Sequence, residues 1–430
     1  MRAHFRFFAL VAATAISATL ASAQNVTNLT LQQAEQLAIQ NHPLIQAAAN
    51  MASAAKAQIT EARSAYYPTV YGSLTGVDAE NASRVAAGGL NNPIIYDRYA
   101  NGVTVNQLVT DFGRTHELVK SSDLHAQAQQ EGVVTTRAEV LLQVDQSYFA
   151  ALKAQSVLAV AEETVKARQL VSDQVTELAK NKIRSDLDVN FANVNLAQAQ
   201  LLLIQAQNDL RSSFARLAAA LGSSDQTTYQ LTEQPMPPAP LPDVSALIQQ
   251  ALKDRPELVG QRLTVGSAQS YATAERDLKL PTISALGTAG LTPVNESPLA
   301  PRYAAGGFNV NIPIFNGHLY GARQTEAESR AQAESQYLRD LQNQIVRDVQ
   351  TAWLDANAAF QRLSVTDRLL AESNQALDLA QGRYNLGLSS IIELTQAELN
   401  QTTARIEQAS AKYDYEAQYS LLNYQLGALR

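Results

Sequence analysis

The chain of 430 residues contains no cysteine. That excludes disulfides, thiolate chemistry and lipid attachment at an N-terminal cysteine. Aromatic residues make up only 6% and Trp occurs once, a mix that suits long helices packed through small side chains better than a compact aromatic core. Beyond the N-terminus no run approaches the roughly 18 continuous apolar residues of a membrane-spanning helix. A mature chain that crosses a membrane therefore does so as β-strands closed into a barrel. Excess positive charge is missing too: the formal charge is −7, whereas nucleic-acid phosphates call for a basic footprint, so nucleic acid is not an expected partner. His42, His116, His125 and His318 show no metal-ligand spacing. There is no phosphate-cradling loop and no nucleophile elbow. No enzymatic activity, metal or cofactor is expected.

What the chain does have begins with a leader. Arg2 and Arg6 give a basic start, Phe7 to Leu20 is apolar, and Ala21-Ser22-Ala23 fits small-residue cleavage, so residues 1–23 are predicted to be a signal peptide and the protein to be exported. Removing them moves the formal charge from −7 to about −9, because two arginines and no acids leave.

The mature chain says nearly the same thing twice. Val144–Gly222 and Val349–Gly427 align without a gap at an offset of about 205: Ala126-Gln127-Ala128 recurs as Ala331-Gln332-Ala333, Tyr148 falls on Trp353, and Leu221-Gly222 on Leu426-Gly427. Upstream, Pro43, Arg63 and Pro68 recur as Pro256, Arg276 and Pro281 at about 213, so about eight extra residues lie between Pro68 and Val105. Each copy reads helix, strand, strand, very long helix, helix. The first copy spans 24–222, with a β-hairpin over about 68–110 and a helical hairpin over about 113–221. The second spans 243–430, with hairpins over about 281–315 and 317–427; a proline-rich connector, 223–242, joins them.

In detail, Leu29 to Tyr66 is helical in pattern, with Thr30 an N-cap and Pro43 a break or kink. Thr69–Val77, Gly102–Val109, Thr282–Leu291 and Phe308–Ile314 alternate as strands. The proline-free stretches Gly113–Lys180 and Gly317–Tyr384 each give a helix of about 100 Å. Ala199, Leu203, Ala206, Leu210, Ser213, Leu217 and Ala220 follow the four–three spacing of a coiled-coil seam, and Leu399, Ile406 and Tyr413 also fall on sevens. One chain of this size cannot bury such helices, which points to oligomerisation.

Apolar Phe308, Val310 and Ile312 alternate with Asn309 and Asn311, and Ile283, Ala285, Gly287, Ala289 and Leu291 with Thr282, Ser284 and Thr288. Strands of this kind, with Gly- and Asn-rich connections at Ala87–Pro93 and Thr292–Gly307, carry the transmembrane barrel pattern. Four strands cannot close a barrel, which needs about eight, so several chains contribute. Tyr66, Tyr67, Tyr71, Tyr99 and Tyr303 lie near strand ends, where an interfacial girdle would sit.

Val310-Asn311-Ile312-Pro313-Ile314-Phe315-Asn316-Gly317, its partner Asn106 to Gly113, and the hairpin Arg383-Tyr384-Asn385-Leu386-Gly387-Leu388-Ser389-Ser390-Ile391-Ile392-Glu393-Leu394 resemble the TolC family of outer-membrane efflux proteins. The resemblance covers essentially the whole mature chain. It implies a homotrimer in which three duplicated, mostly α-helical chains share a twelve-stranded transmembrane β-barrel, seated in outer-membrane lipid and continued by a long periplasmic α-helical coiled-coil barrel. Such a protein is a passive exit duct of a tripartite efflux or type I secretion system. Its partners are a periplasmic adaptor (membrane fusion) protein and an inner-membrane transporter of RND, ABC or MFS type, and it is gated at the periplasmic helical tips. The residues without the resemblance also admit a periplasmic adaptor-like or coiled-coil scaffold protein lacking channel activity.

The repeat itself singles out Asp188 and Glu393, which occupy equivalent places just past the two tips. In a trimer, inward-facing carboxylates there form rings that favour cations; a first-turn acid stabilised by the helix dipole is the plainer reading. The resemblance implies a pore-facing Glu393 and a link between neighbouring hairpins through Tyr384 and Asp188. It also places Gln396 where relatives often have a second acid, and Ser389 where some have a basic residue. Adaptor docking is implied at the tips, Asn181, Lys182 and Arg184 in the first hairpin and Leu386, Gly387, Leu388 and Ser389 in the second. Lys182 stands opposite Gly387, so the two tips need not dock alike.

Overall fold

The computed structural model describes residues 27–80, 96–223, 229–295 and 300–429; the leader at 1–23 and the connection Ala87–Pro93 lie outside them. The first copy holds β1 (Thr27–Leu29), α1 (Leu31–Asn41), α2 (Pro43–Arg63), β2 (Thr69–Val77), β3 (Arg98–Thr110), α3 (Arg114–Lys180) and α4 (Asp186–Ala220). The connector contributes β4 (Tyr229–Leu231), and the second copy holds α5 (Val244–Asp254), α6 (Pro256–Arg276), β5 (Thr282–Asn295), β6 (Arg302–Asn311), α7 (Leu319–Asn385) and α8 (Ile391–Gln425). Corresponding helices have identical lengths: 11 residues in α1 and α5, 21 in α2 and α6, 67 in α3 and α7, and 35 in α4 and α8. The copies differ in length chiefly between the strands, where 78–97 in one stands against 296–301 in the other.

Local chemistry sets the boundaries. Thr30 caps α1 through a capping box with Gln33. Pro43 and Pro256 sit at the first turn of α2 and α6, where the missing N–H costs nothing, and they force His42 and Arg255 into extended backbone. Each short helix therefore splits at its proline. Between strand and long helix, two consecutive residues are left-handed: Phe112 and Gly113 in one copy, Gly317 and His318 in the other. The turn demands that conformation twice, and each copy supplies one glycine, in opposite order.

The strands form one antiparallel sheet in the order β2-β3-β5-β6, with β2 and β6 as open edges. Register puts Thr69, Asn106, Thr104, Thr288, Thr282, Asn309 and Asn311 on one face and Val70, Leu74, Val103, Val105, Ile283, Phe308 and Val310 on the other. This division departs from the sequence reading in one respect. Tyr71 pairs with Thr104, and Tyr303 lies in the row of Ser73, Gly102 and Gly290, so both belong to the polar face, whereas Tyr99, paired with Gly76, lies on the apolar one. Strand β6 runs Arg302–Asn311 where Phe308–Ile314 was expected: it ends earlier because Pro313 cannot donate to a ladder, and it starts earlier because Arg302 to Gly307 pair with Leu291 to Leu286 of β5.

Below the sheet, α3 packs along α2, α4, α6 and α8, and α7 along α5, α6 and α8. Among the described residues no helix is long and apolar enough to cross a membrane. Ala192, Ala199, Ala206 and Ser213 of α4 are buried at sevens, with Leu217 and Ala220 continuing the seam. In α8 the buried sevens are Ala397, Ala404 and Ala411. Of the expected sevens, Tyr413 is buried, Ile406 half-buried and Leu399 exposed; Ala397, Ala404 and Ala411 form a second, small-residue row two positions earlier.

Midway along the helices β1 and β4 pair in parallel, a contact absent from the sequence reading, which placed Leu29 in a helix. The buried Tyr148 hydroxyl donates toward the Leu29 and Thr232 carbonyl oxygens at 2.8 and 2.7 Å. Its repeat partner Trp353 donates from Nε1 to the Leu241 carbonyl oxygen at 2.7 Å. Each copy thus uses the polar handle of one aromatic to fasten the segment that precedes its first helix.

Candidate functional site: the helical tips

The far ends of α3/α4 and α7/α8 form two tips, 181–185 and 386–390. Both close in the same way. Lys182 and Gly387 are left-handed, with φ of 59° and 72°. The Ile183 amide donates to the Leu178 carbonyl and the Leu388 amide to the Arg383 carbonyl, at 2.9 and 2.8 Å, the backbone pattern of a Schellman turn. Lys182 therefore adopts the glycine conformation in spite of its side chain.

The equivalent acids act differently. The Asp188 carboxylate accepts from the Ser185 amide and hydroxyl at 3.1 and 3.0 Å, completing a capping box on α4. Glu393, in the matching position on α8, leaves its cap and pairs with Arg383 of α7 at 3.0 Å. Glu393 and Gln396 are exposed on adjacent positions of one helix face, and Gln396 donates to Asn400 at 2.9 Å.

One residue bridges the tips. Arg184 of the first hairpin lies over the Tyr384 ring, 4.1 Å from its centroid, and donates to the Tyr384 carbonyl oxygen at 2.6 Å. Tyr384 is 4% exposed, and its hydroxyl has no hydrogen-bond partner among the described residues. Burial raises the hydroxyl's pKa; the Arg184 charge opposes that rise and the Asp188 charge adds to it. The structure thus brings Tyr384, Arg184 and Asp188 together, but the bridge runs through Arg184 and the ring face, with no hydrogen bond from the tyrosine hydroxyl to Asp188. The hydroxyl of Ser389, at the place equivalent to Arg184, is also buried without a partner among the described residues. Around this centre Ile183, Leu187, Leu386, Leu388 and Ile392 are exposed, and Asn181 donates from its side chain to the Glu177 carbonyl at 2.8 Å.

Above the tips, the first hairpin is fastened to the second by polar pairs that the sequence reading missed. Lys153–Asp414 at 2.9 Å and Glu163–Arg405 at 2.7 Å join α3 to α8. Arg168 and Glu398 form a buried ion pair below them. Asn195 donates to Thr395 at 2.8 Å between α4 and α8. Burial lowers the Arg168 pKa to about 10, so it stays charged. The signal for this pair was present in the repeat: Arg168 and Glu398 align with the neutral Ser373 and Asn193.

The sequence profile of a family described as "Outer membrane efflux protein" matches residues 34–223 and 247–428. The outer membrane protein TolC of Escherichia coli is 22% identical over 359 residues, covering 77% of this chain and 72% of that protein. The alkaline protease secretion protein AprF of Pseudomonas aeruginosa is 23% identical, covering 91% and 83%. Among solved structures, the outer membrane protein VceC of Vibrio cholerae superposes with a TM-score of 0.80 at 17% identity, covering 92% of this chain and 96% of that one.

Proposed function

The chain belongs to the outer membrane efflux protein family, and from that premise we propose that it is a passive exit duct in the outer membrane that assembles as a homotrimer. The observation that carries this reading is the open four-stranded sheet. One face is mostly apolar, the other mostly polar, and among the described residues both edges are unpaired. Its strands alternate in direction, so β6 runs antiparallel to β2. A copy related by threefold rotation can set its β2 beside this β6 with antiparallel pairing, and three copies close twelve strands without an edge. Apolar side chains then meet lipid, threonines and asparagines line the lumen, and the helices continue the bore into the periplasm.

The tips form the gate in this reading. Arg184 on Tyr384 holds one hairpin to the other and Arg383 holds Glu393, with Asp188, Glu393 and Gln396 facing the periplasmic entrance in this reading. A periplasmic adaptor docks on the tips, through Asn181, Lys182 and Arg184 in one hairpin and Leu386, Gly387, Leu388 and Ser389 in the other. An inner-membrane transporter supplies the energy and selects the cargo. Fractionation and planar-bilayer recording test the proposal: a heat-labile trimer in the outer membrane that conducts ions supports it, and a soluble periplasmic monomer refutes it.

A further inference from the structure

On the polar face of the sheet, Ser73, Gly102, Gly290 and Tyr303 form one row across all four strands. A side chain on a strand ordinarily stands perpendicular to the sheet. Tyr303 instead lies flat: its ring crosses Gly290 of β5 and reaches Gly102 of β3, and its hydroxyl is 3.4 Å from the Asn101 carbonyl oxygen. A Cβ built on either glycine would collide with the Tyr303 hydroxyl end; one on Gly102 would also stand 2.9 Å from the Ala289 carbonyl oxygen, and one on Gly290 would also collide with the Asn101 carbonyl oxygen. The close-set backbone thus admits only glycine at Gly290, and the two bare positions together leave a notch in which the tyrosine lies against the wall.

The repeat shows that the notch is specific to one copy. The positions matching Gly290 and Tyr303 are Val77 and Arg98, which pair with one another in β2 and β3. Tyr303 also lies at the beginning of β6, the end remote from α7. The next row, Tyr71, Thr104, Thr288 and Ala305, keeps the same polar character, with Thr104 and Thr288 hydroxyls 3.3 Å apart.

We propose that the Gly102–Gly290 notch sets the bore at the outer end of the duct by parking Tyr303 against the barrel wall. This inference rests on the trimeric duct reading, in which the notch occurs three times around the axis. Barrels of about eight strands are filled by their own side chains, whereas barrels of about 16–18 leave an aqueous channel. A twelve-stranded barrel falls between, so three upright tyrosines at one level would narrow it and three flat ones leave it wide. Tyr303 is then a bore-determining residue by position, and the glycines are its positioning residues.

The test is made on the full trimer in planar bilayers, with nonelectrolyte polymers of graded size added to the barrel side only, where entry does not depend on the helical tips. Gly102→Ala is expected to shift the exclusion threshold to a smaller polymer. Gly102→Ala combined with Tyr303→Ala is expected to restore it, and Tyr303→Ala alone to leave it unchanged. An unshifted threshold in conducting Gly102→Ala trimers overturns the inference. So does a double variant that stays narrow, which would assign the effect to the backbone, or a widened bore in Tyr303→Ala, which would mean the ring already projects. If the unmodified protein forms no channel, the duct reading itself fails, a result distinct from any of these.

Discussion

Arg184 and Tyr384 sit on different hairpins, 200 positions apart in the chain, and meet through the ring face and a 2.6 Å hydrogen bond to the backbone. The tyrosine hydroxyl takes no part in that contact. Arg184→Ala should therefore loosen the tip and raise open probability by some tens-fold, since a half-buried cation–π contact and a charge-assisted bond together contribute about 2 kcal/mol. Tyr384→Phe should conduct like the unmodified protein. Opening by Tyr384→Phe with no effect of Arg184→Ala would show that the hydroxyl holds the gate.

The buried pair Arg168–Glu398 has side chains only 9% and 8% exposed. Removing one partner leaves an uncompensated charge and should cost about 3–5 kcal/mol, read as a lower temperature of trimer dissociation. Arg168→Ser with Glu398→Asn imports the residues found at the matching places, Ser373 and Asn193, and should recover most of that loss. A double variant no more stable than either single one would contradict this account.

Two buried acids make stability depend on pH. Desolvation, with a smaller contribution from the charge of Glu35, pushes Asp145 up to about 7 from its ordinary 3.8, against a hydrogen bond from Ser420. Glu416 is likewise pushed up to about 7, by burial first. Between the ordinary value and about 7 the folded chain holds more protons than the unfolded one, so stability falls as pH rises through that window and levels off above it. Asp145→Asn should flatten the curve and stabilise the protein most at and above neutrality. Denaturation midpoints at pH 5 and pH 8, measured by circular dichroism in detergent, check this; an unchanged pH slope would refute it.

Lys182 holds a left-handed backbone that its equivalent, Gly387, adopts freely. Lys182→Gly should stabilise the first tip by about 1 kcal/mol. If the lysine charge serves docking, the same change should weaken crosslinking to the adaptor even as thermal stability rises. Crosslinking that follows stability upward would remove Lys182 from the docking surface.

The sequence disclosed the helices, the hairpins and the strand faces because each is written locally, in proline-free runs, caps and two-residue alternation. It hid what depends on contacts between distant segments. Strands β1 and β4 are three residues each and pair Thr27 with Tyr229 through Leu29 with Leu231, too short to carry a period. The small-residue row of α8 was passed over because Leu399 and Ile406 are the larger apolar residues at sevens, while Ala397 and Ala404, two positions earlier, are more deeply buried. At the tips, the candidates Tyr384, Asp188 and Arg184 were each visible. Their grouping was not, since nothing in the spacing says that an arginine from one turn reaches the ring beside the other.

The matched helix lengths, 67 against 67 and 35 against 35, make the two copies behave as paired rulers. One residue inserted into α3 alone would lower its tip by about 1.5 Å and rotate every residue beyond it by roughly 100°. Arg184 would then miss Tyr384, and the small-residue seam would turn off its partner. Between the two copies the difference in length falls chiefly in the strand connections, 78–97 against 296–301. Insertion scanning should therefore return a map with two tolerant windows at one end of the molecule and almost none along the helices.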